Sequence, residues 1–500
     1  MSPRLRFWSF AALGAVLGVY FGASIADESY GLAALASLVC CWVIVEWTSP
    51  VPPDAWLLAA AFVGYIIGNR GFAQIQLVEQ IPLLPAEAVL LVSVPALIVR
   101  IATKRAAGVR KDLLNISILV WVVIGLIRFP LDIERYGAVA LRDFAMIYYS
   151  AFFFISQAHG ARPASDRVLR GAMTLAFVGL LPAVVCVEVA PNFLYDHFTF
   201  RGIPIIFHKS DLIATFLAAG FFWLWTRADK SGHRRWYFFA ASSLLLIGLM
   251  ASPRAAMAGV AVTTALWIVL RRWRIAAAQV GIVAVGSVLT IAVIAVSGKD
   301  IRTSAPYSAF EHAVSIFDPT GKGTYINAES GDPGDNNRFR MIWWRNVIDQ
   351  TLTTDPVFGL GFGSDLATRF LADYDLLSDE SFSARSPHSM IVTVFGRMGI
   401  VGFLAWVAVS AGLARTVWRL MKSGEPDSMG YACVVCVIWI SACVGVVLEG
   451  PMGAVAFWTA AGLANARALG LARPQSPPLA TADETPVAKS ALLLPHPSPR

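Results

Sequence analysis

The sequence predicts an all-α polytopic membrane protein with about 12–14 transmembrane helices and one large outward-facing loop that contains short helices. Only 15% of the 500 residues are charged and 57% are hydrophobic, whereas soluble domains carry about 25% charged residues. Apolar segments near the roughly 20 residues that a membrane-spanning helix needs follow one another along the chain. These lengths suit helices, which satisfy their own backbone polar groups in lipid, far better than barrel strands.

Fourteen segments are candidates for spans: 7–25, 30–47, 55–68, 84–102, 113–128, 143–158, 171–190, 210–226, 237–251, 255–270, 275–297, 389–411, 430–447 and 451–468. Because several are short or adjacent, the predicted number is a range. We divide the chain into an N-terminal transmembrane bundle (1–297), a polar outward loop (298–387), C-terminal transmembrane helices (388–470) and a tail (471–500). The tail is rich in Pro, Ala, Ser and Thr, which predicts a disordered cytoplasmic end.

Basic residues fix the predicted orientation, since Lys and Arg accumulate in cytoplasmic loops. They cluster in alternate loops, near residues 4–6, 100–111, 162–170, 227–235, 271–274 and 415–422. Both termini are then cytoplasmic and the 298–387 loop faces outward. That loop holds 8 Lys/Arg and 13 Asp/Glu, a net charge of −5. The overall charge of +7 is therefore a signature of topology and gives no reason to expect nucleic acid as a partner.

The outward loop has an amphipathic segment. Phe339, Trp343 and Val347 recur every four residues, which predicts a helix of about four turns over 338–352 at the membrane interface. Asp355-Pro356 ends it. Three alternate glycines then form a flexible segment, before a short helix predicted over 364–371: Gly359, Gly361 and Gly363.

Two upstream arginines and one histidine are candidates for chemistry. Arg254 follows Pro253 at the outward start of an apolar segment, where a helix N-terminus and a guanidinium together favour a phosphate. The alternative is an arginine that snorkels to water. Arg201 lies in a second, aromatic outward loop, where the alternative is a salt bridge to Asp196 or Asp211.

His388 stands where the polar loop re-enters the membrane. An unperturbed imidazole titrates near pH 6.5, so it could remove a proton from a hydroxyl at working pH. The alternative is a structural histidine at the interface. Cationic groups that stabilise a departing diphosphate, combined with a base that activates an acceptor hydroxyl, suit glycan transfer from a sugar diphosphate.

Seven pieces of sequence together resemble the O-antigen ligase family, which also contains O-antigen and exopolysaccharide polymerases and protein O-oligosaccharyltransferases. They are Leu141-Arg-Asp-Phe144, Ser252-Pro-Arg254, Arg340-Met-Ile-Trp343, Pro356, Gly359-Leu-Gly-Phe-Gly363, His388 and Gly399-Ile-Val-Gly402. The resemblance covers roughly residues 140–410. One departure is Ser389, where the family commonly has Asn after the histidine.

The resemblance implies a multi-pass enzyme of the bacterial inner membrane, with its site facing the periplasm. It would move a glycan from undecaprenyl diphosphate to a lipid A core, a growing glycan or a protein hydroxyl, with no metal and no cofactor. Arg201, Arg254 and His388 would be catalytic. The residues expected to contact the substrate are Arg142, Arg340, Trp343, Gly359, Gly361 and Gly363.

Ligase-type transfer by direct, inverting displacement is favoured slightly over polymerase activity. A transporter or flippase of lipid-linked glycans is the alternative from another class. It explains the spans, but it does not explain a large outward loop with a histidine at its exit. A non-catalytic scaffold leaves the arginines unexplained.

Overall fold

A computed structural model of the chain describes residues 42, 44–46, 48–77, 83–106, 108–228, 232–251, 254–298, 300–318, 323, 333–373 and 385–471. It has these helices and strands: α1 Pro53–Ile67, α2 Arg70–Ala73, α3 Pro85–Ala102, α4 Leu113–Tyr136, α5 Ala138–Tyr148, α6 Ala151–Gly160, α7 Pro163–Val189, α8 Pro191–His197, β1 Thr199–Phe200, β2 Ile203–Pro204, α9 Ser210–Ala228, α10 Arg234–Met250, α11 Arg254–Val269, α12 Trp273–Ser297, α13 Ala305–Ser315, α14 Pro333–Thr354, α15 Thr368–Asp373, α16 Met390–Ser423, α17 Pro426–Cys443 and α18 Pro451–Leu471. A 3₁₀ turn, Ile301–Thr303, precedes α13.

The predicted all-α polytopic membrane fold is confirmed. Apolar helices lie at each predicted span from 55–68 onward, with α5 and α6 sharing the segment predicted at 143–158. Among the described residues, seven helical segments are long and apolar enough to cross a membrane. The predicted span 7–25, most of 30–47 and the tail beyond Leu471 lie outside the described residues.

Helices with similarly apolar sequences differ in how much of their surface is buried. Helices α9, α17 and α18 are almost entirely buried at the centre of the bundle, whereas α12 keeps only Ala276 and Gln279 buried. Trp121 of α4, Trp406 of α16 and Trp458 of α18 pack together, with ring centroids 5.1 Å apart for Trp121–Trp406 and 6.2 Å for Trp121–Trp458. A helix that is apolar on all faces is suited either to a protein core or to lipid.

Ion pairs join helix ends at the end of the bundle away from His388. Arg170 of α7 lies 2.7 Å from Asp427 at the start of α17, and Arg467 of α18 lies 3.3 Å from Asp166 of α7. Arg227 at the end of α9 approaches Asp427 at 3.3 Å. These contacts bring together helix ends that the distribution of basic residues assigns to one side.

The polar loop differs in detail from its predicted helices. Helix α14 is longer than the predicted 338–352 at both ends. Helix α15 begins later than residue 364, because Asp365 forms a turn in which its carboxylate accepts the Ala367 N–H at 2.9 Å. Helix α13 adds an element that the sequence did not predict.

Helix α16 is broken near its outward end. Gly399 has φ +61° and ψ −158° inside the helix, so the carbonyls before it lose their helical partners. The glycine segment replaces them: the N–H groups of Leu360 and Gly361 donate to Gly396 O (2.7 Å) and Arg397 O (3.1 Å). In return, Ile400 N–H donates to Pro356 O at 2.9 Å. Non-helical backbone is tolerated at membrane depth where protein satisfies it.

We predict that Gly399→Ala destabilises the protein. A Cβ at this residue would meet the carbonyl of Val357, and the positive φ is unfavourable for alanine. Strain of this kind costs about 1–3 kcal/mol, so the melting temperature of purified protein should fall by several degrees. Gly281→Ala in α12 is the matched control, because nothing lies within 4 Å of its added Cβ. An equal melting temperature for Gly399→Ala and wild type would contradict this role of the break.

Candidate functional site

Helix α14 brings together residues that are far apart in the sequence. Asn337 and Arg340, three residues apart, lie on the same face of the helix. Asn337 Oδ1 accepts a hydrogen bond from Arg254 Nη1 at the start of α11, and Arg340 Nη1 donates to Val444 O at 3.0 Å. One turn further along, Trp344 Nε1 donates to Pro387 O at 2.5 Å. The helix therefore connects the start of α11, the end of α17 and the residue before His388.

Arg254 lies at the first position of α11, as the sequence predicts, and its guanidinium is half-buried. Besides Asn337, it has Ser315 Oγ at 3.4 Å from Nη1. The Asn337 amide is itself fixed, because Nδ2 donates to the carbonyls of Ser315 (2.8 Å) and Asp318 (2.7 Å). The polar loop therefore holds the Arg254 guanidinium in place through Asn337 and Ser315.

Cations lie close to His388. Burial lowers the pKa of His388 to about 4, and the positive charges of Arg340 and Lys209 lower it further, while Asp211 acts in the opposite direction. Burial also lowers the pKa of Arg340, against the effect of Asp211. Lys209 and Asp211, at the start of α9, are therefore members of the site that the sequence analysis did not select. The imidazole is neutral at physiological pH and can accept a proton.

The backbone holds His388 in an uncommon conformation. Its φ is +56°, a region that costs a non-glycine residue about 1–3 kcal/mol and that clusters at functional sites. The residues on either side are fixed: Pro387 accepts the Trp344 indole N–H, and Ser389 Oγ donates to Cys443 O at 2.7 Å. The imidazole is therefore positioned by its backbone.

Ser389 also caps helix α16, since its Oγ accepts the Val392 N–H at 3.4 Å. Ser and Asn are among the best N-cap residues and supply the same kind of acceptor oxygen. The resemblance leads one to expect Asn after the histidine. Ser389 in its place therefore preserves the side-chain cap at the start of this helix.

Trp343 packs beside the ring of His388. Its ring is buried, stacks on Phe370 (centroids 5.0 Å apart, 10° between planes) and lies 5.7 Å from the His388 ring. Its indole N–H donates to Leu366 O at 2.8 Å. The residue shapes the site by packing, and its contact with a substrate remains a prediction.

The three glycines of the predicted substrate-binding segment make protein contacts. Their φ values are +78°, +91° and +92°. The N–H groups of Gly359, Gly361 and Gly363 all donate to protein oxygens: Asp355 O, Arg397 O and Asp143 Oδ2. Between them, Phe362 N–H donates to Asp132 Oδ2 at 2.8 Å. The segment is thus a tightly bound connection between α14 and the membrane helices, and its role toward substrate stays a prediction.

Arg142 was predicted from the sequence to contact the substrate, but its neighbour Asp143 makes the structural contacts. Arg142 lies on α5 with an exposed side chain. The Asp143 carboxylate accepts both the Gly363 N–H at 2.9 Å and a guanidinium hydrogen of Arg397, with Nη1 at 2.7 Å. Carboxylates in apolar helices were the signal that could have found Asp143 and Asp132.

Arg201 lies at the turn of the β1–β2 hairpin, with φ +51° and its guanidinium 5.4 Å from the Phe200 ring centroid. The side chain is exposed. The same loop continues to Lys209, whose backbone N–H donates to Asn69 Oδ1 at 3.1 Å. Arg201 is thus related to Lys209 only through the course of this loop, whereas Arg254, Arg340 and Trp343 meet around α14.

A carboxyl group also lies at this end of the bundle. Glu449, between α17 and α18, accepts a hydrogen bond from Thr393 Oγ1 at 2.9 Å. Burial raises the pKa of Glu449, and hydrogen bonds from Ser386 and Thr393 act in the opposite direction, as does the charge of Lys209. Glu449 falls between the predicted spans 430–447 and 451–468, and it was not among the site residues predicted from the sequence.

An apolar groove of about 810 Å³ runs between α1 and α7. At one end it is lined by Trp56 and Arg167, and at the other by Phe72, Ile205 and Ile206. The second end belongs to the loop that continues to Lys209. An apolar chain in this groove would therefore reach the same end of the bundle as His388.

The comparisons with known proteins agree with the motifs. The family described as O-antigen ligase matches residues 240–407, which include Arg254, Arg340 and His388 but neither Arg142 nor Arg201. The comparison with curated proteins finds no match to this chain. Residues 240–407 carry an O-antigen ligase domain, and the family resemblance predicted from the sequence is confirmed.

Proposed function

We propose that this protein is a membrane glycan transferase that moves a glycan from undecaprenyl diphosphate to an acceptor hydroxyl on the periplasmic face of the inner membrane. The O-antigen ligase domain supports transfer of the ligase or polymerase type. The observation that carries the proposal is that Arg340 and Lys209 lie close enough to His388 to act on its pKa, while Asn337 aligns Arg254 against the helix that carries Arg340. The acceptor is a lipid A core, with a growing glycan as the alternative.

The charges suit the leaving group. A departing diphosphate develops negative charge, and preorganised cations stabilise it more in the transition state than in the ground state. Arg254 is aligned by Asn337, and Arg340 lies one helical turn further along α14. Guanidinium groups can contact phosphate oxygens in a bidentate manner. The apolar groove that ends near Ile205 and Ile206 is suited to the polyprenyl tail.

His388 is the proposed base. The acceptor oxygen bonds to the anomeric carbon while the bond from that carbon to the diphosphate oxygen breaks. The acceptor proton passes to the imidazole, and the diphosphate keeps the bonding electron pair. A bound diphosphate offsets the charges of Arg340 and Lys209, which raises the pKa of His388 and strengthens the base. Direct displacement inverts the anomeric carbon, and trapping a covalent glycosyl-enzyme would exclude this mechanism.

The surface glycan of a deletion strain, complemented with wild type or His388→Ala, tests the function. A ligase predicts full-length glycan accumulating on undecaprenyl diphosphate with a bare acceptor, in the deletion strain and with His388→Ala alike. Single repeat units in place of long chains would identify a polymerase instead. An unchanged profile in the deletion strain would contradict the proposal.

We predict that Arg254→Ala abolishes transfer while the protein is still made and inserted. Loss of a group that stabilises developing charge costs about 10²–10³-fold in rate. Arg345→Ala is the matched control, since this arginine of α14 is 84% exposed and faces Asp349. Transfer is measured in membranes with equal amounts of each variant. Full activity of Arg254→Ala would remove the diphosphate-binding role.

The pH dependence follows from the lowered pKa of His388. Since the neutral imidazole is the active form, kcat/KM should stay level as pH falls toward 5 and decline only as pH approaches about 4. Arg340→Gln removes a charge that lowers this pKa, so the acidic decline should move to higher pH. Arg345→Gln should leave the pH of the acidic decline unchanged. A decline that is the same in wild type and Arg340→Gln would contradict the coupling.

A further inference from the structure

The turn between α1 and α2 holds a buried asparagine in a backbone conformation that suits glycine. Asn69 is 0% exposed, with φ +53° and ψ −120°. Such a conformation costs a non-glycine residue about 1–3 kcal/mol, and it persists only where the surrounding structure requires it. The side chain of Asn69 must therefore make contacts that glycine could not replace.

The amide oxygen of Asn69 makes those contacts. Oδ1 accepts the backbone N–H of its neighbour Arg70 at 2.9 Å and that of Lys209 at 3.1 Å. The amide orientation follows, because a flipped side chain would set its NH₂ group against two N–H donors. Nδ2 is buried and has no hydrogen-bond partner among the described residues. The contribution of this side chain thus lies in its oxygen.

Asn69 belongs to a bridge between two outward segments. Residues 67–71 pair with residues 207–209, and Asn69 and Phe207 form a parallel β-bridge. Besides the bond from Lys209 to Asn69, three hydrogen bonds join the segments: His208 Nε2 to Ile67 O (2.9 Å), Phe207 N–H to Gly68 O (3.1 Å) and Gly71 N–H to Phe207 O (3.1 Å).

Two glycines let the segments of this bridge approach each other closely. A Cβ at Gly68 would meet Ile205 O at 2.6 Å, and a Cβ at Gly71 would meet Pro204 O. Gly68, Ile205 and Ile206 also line one end of the apolar groove between α1 and α7. The bridge therefore fixes the loop before α9 against the end of that groove.

Lys209 is the residue at which this bridge meets the His388 site. The charged groups that act on His388 come from two elements: Arg340 of α14, and Lys209 and Asp211 at the start of α9. Lys209 and Asp211 change the pKa of His388 in opposite directions. The balance of charge at the imidazole therefore depends on where the start of α9 is held.

We propose that Asn69 is a positioning residue, whose amide oxygen holds the backbone of Lys209 so that the ammonium group of that lysine acts at the His388 site. The inference rests on the proposed function, in which Lys209 is one of the cations that meet the diphosphate. A lysine ammonium stands on a flexible four-carbon chain, so its placement relies on a fixed backbone. Functional side chains are held in productive geometry by supporting hydrogen bonds of this kind.

The variant Asn69→Gly tests the proposal, because glycine suits the positive φ and only the side-chain contacts are lost. The measurement is kcat/KM for glycan transfer against pH. Since Lys209 lowers the pKa of His388, Asn69→Gly and Lys209→Gln should both move the acidic decline to higher pH. The double variant should show no larger shift than Lys209→Gln, because Asn69 acts through Lys209. An unmoved decline in Asn69→Gly, or additive shifts in the double variant, would overturn the proposal.

The matched control is Asn465→Ala. This buried amide lies at the opposite end of the bundle, where Nδ2 donates to Gln157 Oε1 at 2.7 Å and to Asp112 Oδ1 at 3.4 Å. Its loss should lower the melting temperature and leave the pH of the acidic decline unchanged. A shift equal to that of Asn69→Gly would show a general effect of stability and would refute the positioning role.

Gly71→Ala serves if Asn69→Gly does not fold. Its Cβ would displace the backbone at Pro204 and Ile205, and with it the loop that carries Lys209, while Asn69 is kept. The acidic decline should again move to higher pH. A decline at the wild-type pH in Gly71→Ala would count against the proposal.

Hydrogen exchange of the purified full chain, followed by mass spectrometry, separates this inference from the proposed function. Peptides that contain Lys209 should exchange faster in Asn69→Gly than in wild type, whereas peptides from α17 should exchange equally. Equal exchange at Lys209 in the two proteins would overturn the inference whether or not the chain transfers glycan. A wild-type protein that transfers no glycan from undecaprenyl diphosphate would instead contradict the proposed function.

Discussion

The break in helix α16 is the constraint on which the outward end of the protein depends. A carbonyl without a partner at membrane depth is costly, so the helix can break at Gly399 only because residues 356–361 satisfy the freed groups. The same segment is covalently continuous with α14. The hydrogen bonds that repair the break therefore also position the helix that carries Arg340 and that contacts Arg254 and Pro387.

Two carboxylates at this end of the protein are engaged by neighbouring protein groups. Asp132 and Asp143 are occupied by the glycine segment and by Arg128 and Arg397, whereas Arg254 is aligned by the neutral amide of Asn337. Burial lowers the pKa of His388, and the charges of Arg340 and Lys209 lower it further. We propose that Arg128 and Arg397 stabilise the fold and that the cations near His388 bind an anionic donor.

The helical membrane fold could be predicted from the sequence because the apolar composition and the length of the segments match what a membrane-spanning helix requires. Arg254, Arg340, Trp343 and His388 were also selected from the sequence, and each of them lies on α14 or is linked to a residue of that helix. Distinguishing α17 from α12 was not possible, since both are apolar on every face and only packing decides which is buried. Lys209 was missed because its proximity to His388, and Glu449 because its hydrogen bond with Thr393, arise from tertiary contacts between segments that are far apart in the sequence.

The proposed reaction is tested most directly by transfer with the purified protein in lipid, with a glycan on undecaprenyl diphosphate as the sole donor. We expect one undecaprenyl diphosphate to be released for each glycan joined to the acceptor, with inverted anomeric configuration and without added metal or nucleotide. Transfer that requires a nucleotide sugar, or proceeds with retained configuration, would contradict it.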